Sequence, residues 1–273
     1  MSAALERLRD RVADAGRLVI GYSGGVDSAL LARVATDVLG LDALAVTAVS
    51  ASLGAEERRR ARTFAREQGI AQIEVGTDEM DRADYVANGA ARCFHCKSAL
   101  FDALDPLAAM LRAHTALGTN LDDLGDYRPG QRAAADRGAL FPLVEAGLNK
   151  AAVRAVSDEL GLSTARRPAA PCLASRVAYG EPVTPELLAR IEAAEQAVRA
   201  EGFTDVRVRA HADGTVGRIE LPDAEAGRAV DARHRLDAAV RAAGFTFCAL
   251  DLGGFVSGRL NALLPLVETH RSS

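Results

Sequence analysis

Short apolar runs and longer amphipathic stretches alternate through the first half of the chain. The apolar runs predict strands at 17–22, 43–49, 72–76 and 114–119. The stretches between them predict helices at 26–39, 55–69 and 96–112, and a further helix follows the N-cap residue Asn149. This alternation is typical of an α/β fold with a doubly wound parallel sheet, which binds ligands at the carboxyl ends of its strands.

The pattern changes after residue 165. Residues 165–176 contain two prolines and no periodicity, which indicates a loop between domains. A helix then begins at Thr184-Pro185, followed by a hairpin of strands 205–210 and 215–221, a helix 223–243 and a last strand 245–252. We therefore predict two domains, residues 1–165 with the parallel sheet and residues 166–273 with a smaller α+β fold.

The composition and net charge of the chain limit the classes of protein to which it can belong. The chain has 273 residues, 49% of them hydrophobic, which is enough to bury one large core or two domains. A net charge of −4 argues against a broad nucleic-acid surface. No apolar run reaches the ~18 residues of a membrane span, and the N-terminal stretch predicts a charged amphipathic helix rather than a signal peptide. We expect a cytoplasmic protein with four reduced cysteines.

The first candidate site is the run LVIGYSGGVDS at 18–28, where an apolar strand meets a Ser/Gly-rich turn and then a helix. Backbone N–H groups in such a turn, together with the positive end of the helix dipole, form an anion-binding site. An ordinary strand-to-helix turn is the alternative interpretation. No Lys follows the turn, so it is not the GxxxxGK[ST] loop. Asp27 would either bind Mg²⁺ or brace the loop. The candidate phosphate-binding residues are Ser23, Gly24, Gly25 and Ser28.

Cysteines supply the second candidate site. Cys93 and Cys96 form a single CxxC pair, which is half of a zinc or iron–sulfur site, a redox pair, or inert. Cys172 lies in a loop whose arginines favour the thiolate: Arg166, Arg167 and Arg176. Three thiolate ligands with one iron left open are what a catalytic [4Fe–4S] cluster needs. Cys248, in an apolar strand, is predicted to be a buried small hydrophobe.

A third cluster follows the predicted strand at 114–119. Its loop, GTNLDDLGDYRPG, begins at Gly118. Its charged residues are Asp122, Asp123, Asp126 and Arg128. A solvated Asp/Gly loop is the alternative, but the position at the carboxyl end of a strand favours a functional role.

The fourth cluster is a pair of arginines in a predicted strand. Arg207 and Arg209 alternate with valines, so both guanidinium groups lie on one face and suit a phosphate or a carboxylate. Arg218 and Glu220 share a face of the adjoining strand. Exposed arginines paired with carboxylates are the alternative.

Six motifs together resemble the LarE family: SGGVDS, RCFHCK, GTNLDDLGDYRPG, PCLASRVAYG, VRVR and DLGGFVSGRLN. These proteins are ATP-dependent sulfur transferases of nickel-pincer nucleotide synthesis, with the adenine nucleotide alpha-hydrolase-like fold of PP-loop ATP pyrophosphatases. The resemblance implies that ATP and Mg²⁺ are held by Ser23, Gly24, Gly25, Asp27, Ser28, Gly118 and Asp123. It implies that the phosphate of the substrate is held by Ser175, Arg176, Arg207 and Arg209.

The resemblance also implies a reaction in two steps. A carboxylate of a pyridinium dicarboxylate mononucleotide attacks the α-phosphate of ATP and releases pyrophosphate, and sulfur then displaces AMP to leave a thiocarboxylate. In some members the sulfur comes from the PCLASR cysteine, here Cys172, which becomes dehydroalanine. In others, three cysteines hold a [4Fe–4S] cluster that carries an extra sulfide. A sacrificial enzyme has no chemical use for a CxxC pair, so Cys93, Cys96 and Cys172 favour the cluster.

Two other functions are compatible with parts of the sequence. A tRNA-thiolating enzyme also combines this loop with three cysteines, but it predicts a basic RNA surface or an RNA-binding domain, and neither is visible. A non-catalytic ATP-binding module would need neither Cys172 nor the arginine pair. The resemblance predicts a small-molecule nucleotide substrate, no nucleic-acid or membrane partner, and a homo-oligomer.

Overall fold

The computed structural model describes the backbone of residues 2–125, 129–168 and 170–256, and their side chains except those of residues 125–132. Its strands are β1 (Leu18–Gly21), β2 (Ala43–Val49), β3 (Gln72–Gly76), β4 (His114–Leu117), β5 (Arg207–His211), β6 (Val216–Glu220) and β7 (Phe247–Leu250). Its helices are α1 (Ala3–Ala15), α2 (Val26–Leu39), α3 (Ala55–Glu67), α4 (Ala83–Val86), α5 (Arg92–Leu111), α6 (Pro129–Asp136), α7 (Pro142–Glu145), α8 (Lys150–Glu159), α9 (Pro185–Ala200), α10 (Ala226–Asp231) and α11 (Arg233–Ala242). None of the described helices is long and apolar enough to cross a membrane.

The chain divides into two compact units, the first formed by Met1–Glu79 and Cys93–Pro171. Its four strands are all parallel, in the order β3-β2-β1-β4. On one face, apolar residues of α1, α2 and α8 share a core with Leu18 and Ile20 of β1. On the other face, Leu104 of α5 packs with Val19 and Val46. Helices therefore cover both faces, and the predicted doubly wound α/β fold is confirmed.

The elements of this unit follow the hydrophobic pattern closely. Strands β2 and β3 and helix α2 have the predicted bounds. The side chain of Asn149 accepts a hydrogen bond from the backbone of Ala152, as expected of an N-cap. Helix α5, however, begins at Arg92, four residues before the predicted start at 96. The CxxC pair therefore lies in the first five residues of α5.

The second unit combines Met80–Arg92 with the described residues from Cys172 onward. Its mixed sheet has the order β5-β6-β7, with β5 antiparallel and β7 parallel to β6. Helices α9 and α11 pack against each other. The prediction of one helix over 223–243 was wrong, because the chain forms a 3₁₀ turn at Asp223–Glu225 and then two α-helices that are separated at Ala232, a buried residue.

The inserted segment Met80–Arg92 is held in the second unit by buried contacts. The side-chain amide of Asn88 donates to the carbonyl oxygens of Ala178, at 2.8 Å, and Glu181, at 2.9 Å. Tyr85 is almost fully buried. The predicted boundary at residue 165 differs from this division in two respects: the second unit begins again at Cys172, and it contains a segment from the first half of the chain.

Candidate functional site

The turn after β1 is stabilised by its own hydroxyl groups. The backbone N–H of Ser23 donates to the Ser28 hydroxyl at 3.2 Å, and that hydroxyl donates to the Gly25 carbonyl oxygen at 3.2 Å. The two hydroxyl oxygens lie 3.1 Å apart. Gly25 is the N-cap residue of α2 and offers no side chain to the free N–H groups of its first turn. The structure thus assembles four predicted phosphate-binding residues into one turn at a helix N-terminus, an arrangement suited to an anion.

Two glycines are required by the close packing of this turn. Gly24 has φ +74°, and a Cβ there would lie 2.7 Å from the Cβ of Ala61 in α3. A Cβ on Gly118, just after β4, would lie 2.7 Å from the backbone nitrogen of Ser28. The Tyr22 hydroxyl also donates to the Ala61 carbonyl oxygen, at 3.1 Å. The turn is therefore fixed between α3 and the end of β4.

Asp27 braces the loop through two partners that sequence reasoning missed. Its carboxylate forms an ion pair with the ammonium group of Lys150, the first residue of α8. Its other oxygen accepts from the side-chain amide of Asn120 at 3.1 Å, and the same amide donates to Asp123 at 2.9 Å. A lysine at a helix N-terminus opposes the helix dipole, and that was a signal in the sequence that Lys150 has another role.

The remaining acidic residues of the same loop have separate positions. Asp122 accepts a hydrogen bond from the backbone N–H of Lys150 at 3.0 Å, so it supports the start of α8. Asp126 and Arg128 lie outside the described residues.

The cysteines have different environments. Cys93 and Cys172 are exposed, and Cys96 is partly exposed. Cys93 and Cys96 are three residues apart in α5 and so lie on one face of that helix. Within the part of the chain that is described, no group of three or more His, Cys, Asp or Glu side chains is placed to hold a metal ion. Cys248 was predicted to be buried, but it is only half-buried, because it lies in the short strand β7; burial raises the pKa of its thiol to about 11.

The arginines near Cys172 in sequence each have a carboxylate partner. Arg166 pairs with Asp158 and Arg167 with Glu57, both within the first unit. Arg176, in the second unit, pairs with Glu195 at 2.9 Å.

Arg176 holds the turn that follows Cys172. Its guanidinium donates to the Cys172 carbonyl oxygen and to the Ser175 hydroxyl, both at 3.1 Å. Its partner Glu195 is nearly fully buried and also accepts from the backbone N–H of Val208 in β5 at 3.2 Å. Arg176 therefore positions the backbone of the predicted sulfur-transfer cysteine.

The arginine pair of β5 lies on one face, as predicted, but the two side chains differ. Arg209 is buried, forms an ion pair with the fully buried Glu220 at 2.8 Å, and donates to the Ser175 carbonyl oxygen at 2.7 Å. Arg207 is half-buried and lies 4.4 Å from the ring centre of Phe255. Burial, with the positive charges of Arg176 and Arg209, lowers the pKa of Arg207 to about 10. Three arginines thus converge in the second unit, where an anion would relieve the repulsion among them.

Comparison with known proteins places the chain in a family. Residues 1–93 match the family described as NAD synthase. A pyridinium-3,5-bisthiocarboxylic acid mononucleotide synthase of Lactiplantibacillus plantarum is 37% identical over 258 residues, which cover 93% of this chain and 92% of that protein. The chain belongs to the LarE family. Its members are ATP-dependent sulfurtransferases.

Two other relatives of this LarE-family chain are uncharacterized proteins. One, from Synechocystis, is 45% identical over 267 residues, or 97% of this chain and 99% of that protein. The other, from Methanocaldococcus jannaschii, is 25% identical over 205 residues, or 75% of this chain and 78% of that protein. The NAD synthase match covers the loop at 18–28 but ends at Cys93, so the arginine cluster lies beyond it. The LarE match covers nearly the whole chain.

Proposed function

We propose that this protein inserts sulfur into a pyridinium dicarboxylate mononucleotide in an ATP-dependent reaction. The observation that carries the proposal is the 37% identity to the mononucleotide synthase over 93% of the chain. The geometry supports it with two anion sites, the turn at the N-terminus of α2 and the arginine cluster of the second unit. One suits the triphosphate of ATP, and the other suits the phosphate of a mononucleotide substrate.

In the first step, a substrate carboxylate oxygen forms a bond to the α-phosphorus of Mg-ATP while the bond from that phosphorus to pyrophosphate breaks. The turn at Ser23 to Ser28 binds the leaving pyrophosphate through backbone N–H groups and hydroxyls. Asp27 keeps that turn in place through Lys150 and Asn120. Asp123 and Gly118 complete this site from the end of β4.

In the second step, sulfur attacks the carbonyl carbon of the acyl-adenylate, and the bond to the AMP oxygen breaks. Arg207 binds the phosphate of the substrate, because this half-buried guanidinium lies near the positive charges of Arg176 and Arg209, which add to its attraction for an anion. Arg209 and Arg176 position Ser175 and the turn after Cys172. We expect this site to favour a phosphorylated carboxylate over the same compound without its phosphate.

The sulfur comes from a [4Fe–4S] cluster in our proposal. Cys93, Cys96 and Cys172 are thiol donors of the type that holds such clusters, and each is at least partly exposed. Cys93, Cys96 and Cys172 would hold the cluster, and its chemistry would be the supply of sulfide for the activated carboxyl group. Without a cluster, the Cys172 thiolate would attack the carbonyl carbon and displace AMP to give a thioester. Removal of the Cα proton by a base, with cleavage of the Cβ–Sγ bond, would then release the thiocarboxylate and leave dehydroalanine.

The first prediction concerns iron. Anaerobic reconstitution with iron and sulfide is expected to load about four irons per chain, with a broad absorption band near ~400 nm. The double variant C93A/C96A is expected to lose the iron and to transfer no more than one sulfur per chain. C248A is the matched control, because its thiol is half-buried and has a raised pKa.

Two results would count against the cluster. One is the absence of bound iron in the reconstituted protein, and the other is unchanged sulfur transfer in C93A/C96A. In either case, mass spectrometry after one turnover is expected to show a chain lighter by one H₂S, which identifies Cys172 as the donor.

The second prediction tests the ATP site. Gly118→Ala is expected to weaken Mg-ATP binding about 5- to 150-fold, because overpacking at the start of α2 costs about 1–3 kcal/mol. The added Cβ would lie 2.7 Å from the Ser28 nitrogen, so the helix N-terminus must shift. Gly76→Ala, at the end of β3, is the control, since its Cβ would meet nothing within 4 Å. Titration calorimetry measures both, and equal affinities would contradict the role of Gly118.

Pyrophosphate release separates the proposed function from its rivals. Release on addition of a pyridinium dicarboxylate mononucleotide supports the proposal, whereas ATP binding without release identifies a non-catalytic module. Release that depends on tRNA would instead identify a tRNA-thiolating enzyme. The homo-oligomer and the cytoplasmic location stay predictions.

A further inference from the structure

Arg167 has a fixed backbone close to the phosphate-binding turn of the first unit. The backbone N–H of Arg167 donates to the Thr164 carbonyl oxygen at 3.1 Å. The guanidinium of Arg154, in α8, donates to the carbonyl oxygens of Ala165 and Arg167, the latter at 3.0 Å. The segment after α8 therefore presents Arg167 from an anchored position.

The side chain of Arg167 reaches the edge of the turn. Its guanidinium forms an ion pair with Glu57, in the first turn of α3, and its Nη1 atom lies 3.5 Å from the Gly24 carbonyl oxygen. Burial raises the pKa of Tyr22, and the charge of Arg167 partly offsets that rise, which reflects how near this cation is to the turn. Helix α3 is itself tied to the turn by the hydrogen bond from Tyr22 to Ala61.

A cation beside the phosphate-binding turn would help to neutralise the charge of a bound triphosphate. The turn at Ser23 to Ser28 is followed by no lysine, so a side-chain cation that contacts the triphosphate has to come from another part of the chain. The ammonium group of Lys150 is already engaged in an ion pair with Asp27. A partly exposed pair such as Arg167–Glu57 adds little stability, and its carboxylate can be replaced by a stronger anion.

We infer that Arg167 is a ligand of the β- and γ-phosphates of ATP, and that Glu57 holds it in place until ATP binds. The guanidinium exchanges the carboxylate for phosphate oxygens, with which it forms charge-assisted hydrogen bonds. After pyrophosphate leaves, Arg167 returns to Glu57. This inference rests on the proposed use of ATP. Arg167 would then contribute to the preference of the site for ATP over AMP, because AMP lacks the phosphates that Arg167 binds.

The test is calorimetric titration of the full-length protein with Mg-ATP and, separately, with AMP. R167Q is expected to weaken Mg-ATP binding about 10- to 100-fold, the loss typical of hydrogen bonds to a charged group. Its affinity for AMP is expected to stay within about 2-fold. R166Q is the matched control, because Arg166 is exposed and pairs with Asp158 instead.

The variant E57Q tests the proposed exchange of the Glu57 carboxylate for ATP phosphates by removing the carboxylate. Removing the competing carboxylate is expected to tighten Mg-ATP binding about 2- to 5-fold, within the range measured for ion pairs near the protein surface. The gain is expected to vanish in the R167Q/E57Q double variant. E57Q also keeps the inference testable if R167Q does not fold, as judged by thermal unfolding.

Three outcomes would overturn the inference: Mg-ATP binding by R167Q within about 2-fold of the original chain, unchanged or weaker binding by E57Q, or an equal loss of AMP and ATP affinity in R167Q. Failure of the unaltered protein to bind Mg-ATP is a different result. It would overturn the proposed function itself.

Discussion

Replacing Cys172 with alanine is expected to abolish sulfur transfer while ATP-dependent pyrophosphate release continues. The thiol is exposed, and the backbone carbonyl that Arg176 binds is retained in the variant. The turn should therefore keep its conformation, and only the sulfur chemistry is lost. We expect thiocarboxylate formation to fall at least about 10³-fold, as for the removal of a reacting group.

The measurement follows both half-reactions in one sample, with pyrophosphate by a coupled assay and thiocarboxylate by mass spectrometry. C248A serves as the control and should support both reactions. Thiocarboxylate formation by C172A at a rate within tenfold of the original chain would remove Cys172 from the mechanism under either sulfur source.

Glu220→Ala is expected to destabilise the protein by about 3–5 kcal/mol, because it leaves Arg209 buried without its counter-charge. Glu220 has no exposed surface, and only 4% of the Arg209 side chain is exposed. Urea denaturation measures the change in the free energy of unfolding. Glu201→Ala is the control, since Glu201 pairs with Arg235 near the surface, and such pairs contribute about 0–1 kcal/mol.

A second variant separates buried charge from lost packing. The double replacement R209M/E220L removes both charges and is expected to recover much of the stability lost in Glu220→Ala. A loss in Glu220→Ala no larger than that in Glu201→Ala would show that this ion pair is dispensable.

The fold was predictable where hydrophobic periodicity is strong and local. The parallel strands coincide with apolar runs. Helices α8 and α9 begin directly after their N-cap residues, Asn149 and Thr184. The division of the stretch 223–243 into two helices was not predictable, because no proline or glycine stands at Ala232 and the bend places that residue in the core. The first residue of α5, Arg92, donates through its guanidinium to Asn88 and to the Ala174 carbonyl oxygen, a contact that links distant parts of the sequence and that no local pattern reports.

The candidate site was predictable only as far as its motifs are contiguous. The motif SGGVDS predicts an anion-binding turn, because the strand, the glycines and the helix follow each other directly in the sequence. The bracing of Asp27 by Asn120 and Lys150 joins residues 93 and 123 positions apart, and no local pattern reports such pairs. Alternation placed Arg207 and Arg209 on one face, but only tertiary packing buries Arg209 against Glu220.

The insertion of Met80–Arg92 into the second unit has a consequence during protein synthesis. The ribosome synthesises this segment before Cys172, so Asn88 emerges before Ala178 and Glu181, whose carbonyl oxygens it binds in the folded protein. A chain that ends at Pro171 would lack both carbonyl partners of the Asn88 side chain. Because the second unit is built from two separate stretches of the sequence, no single cut in the gene yields each unit whole. The two units are therefore synthesised and inherited together.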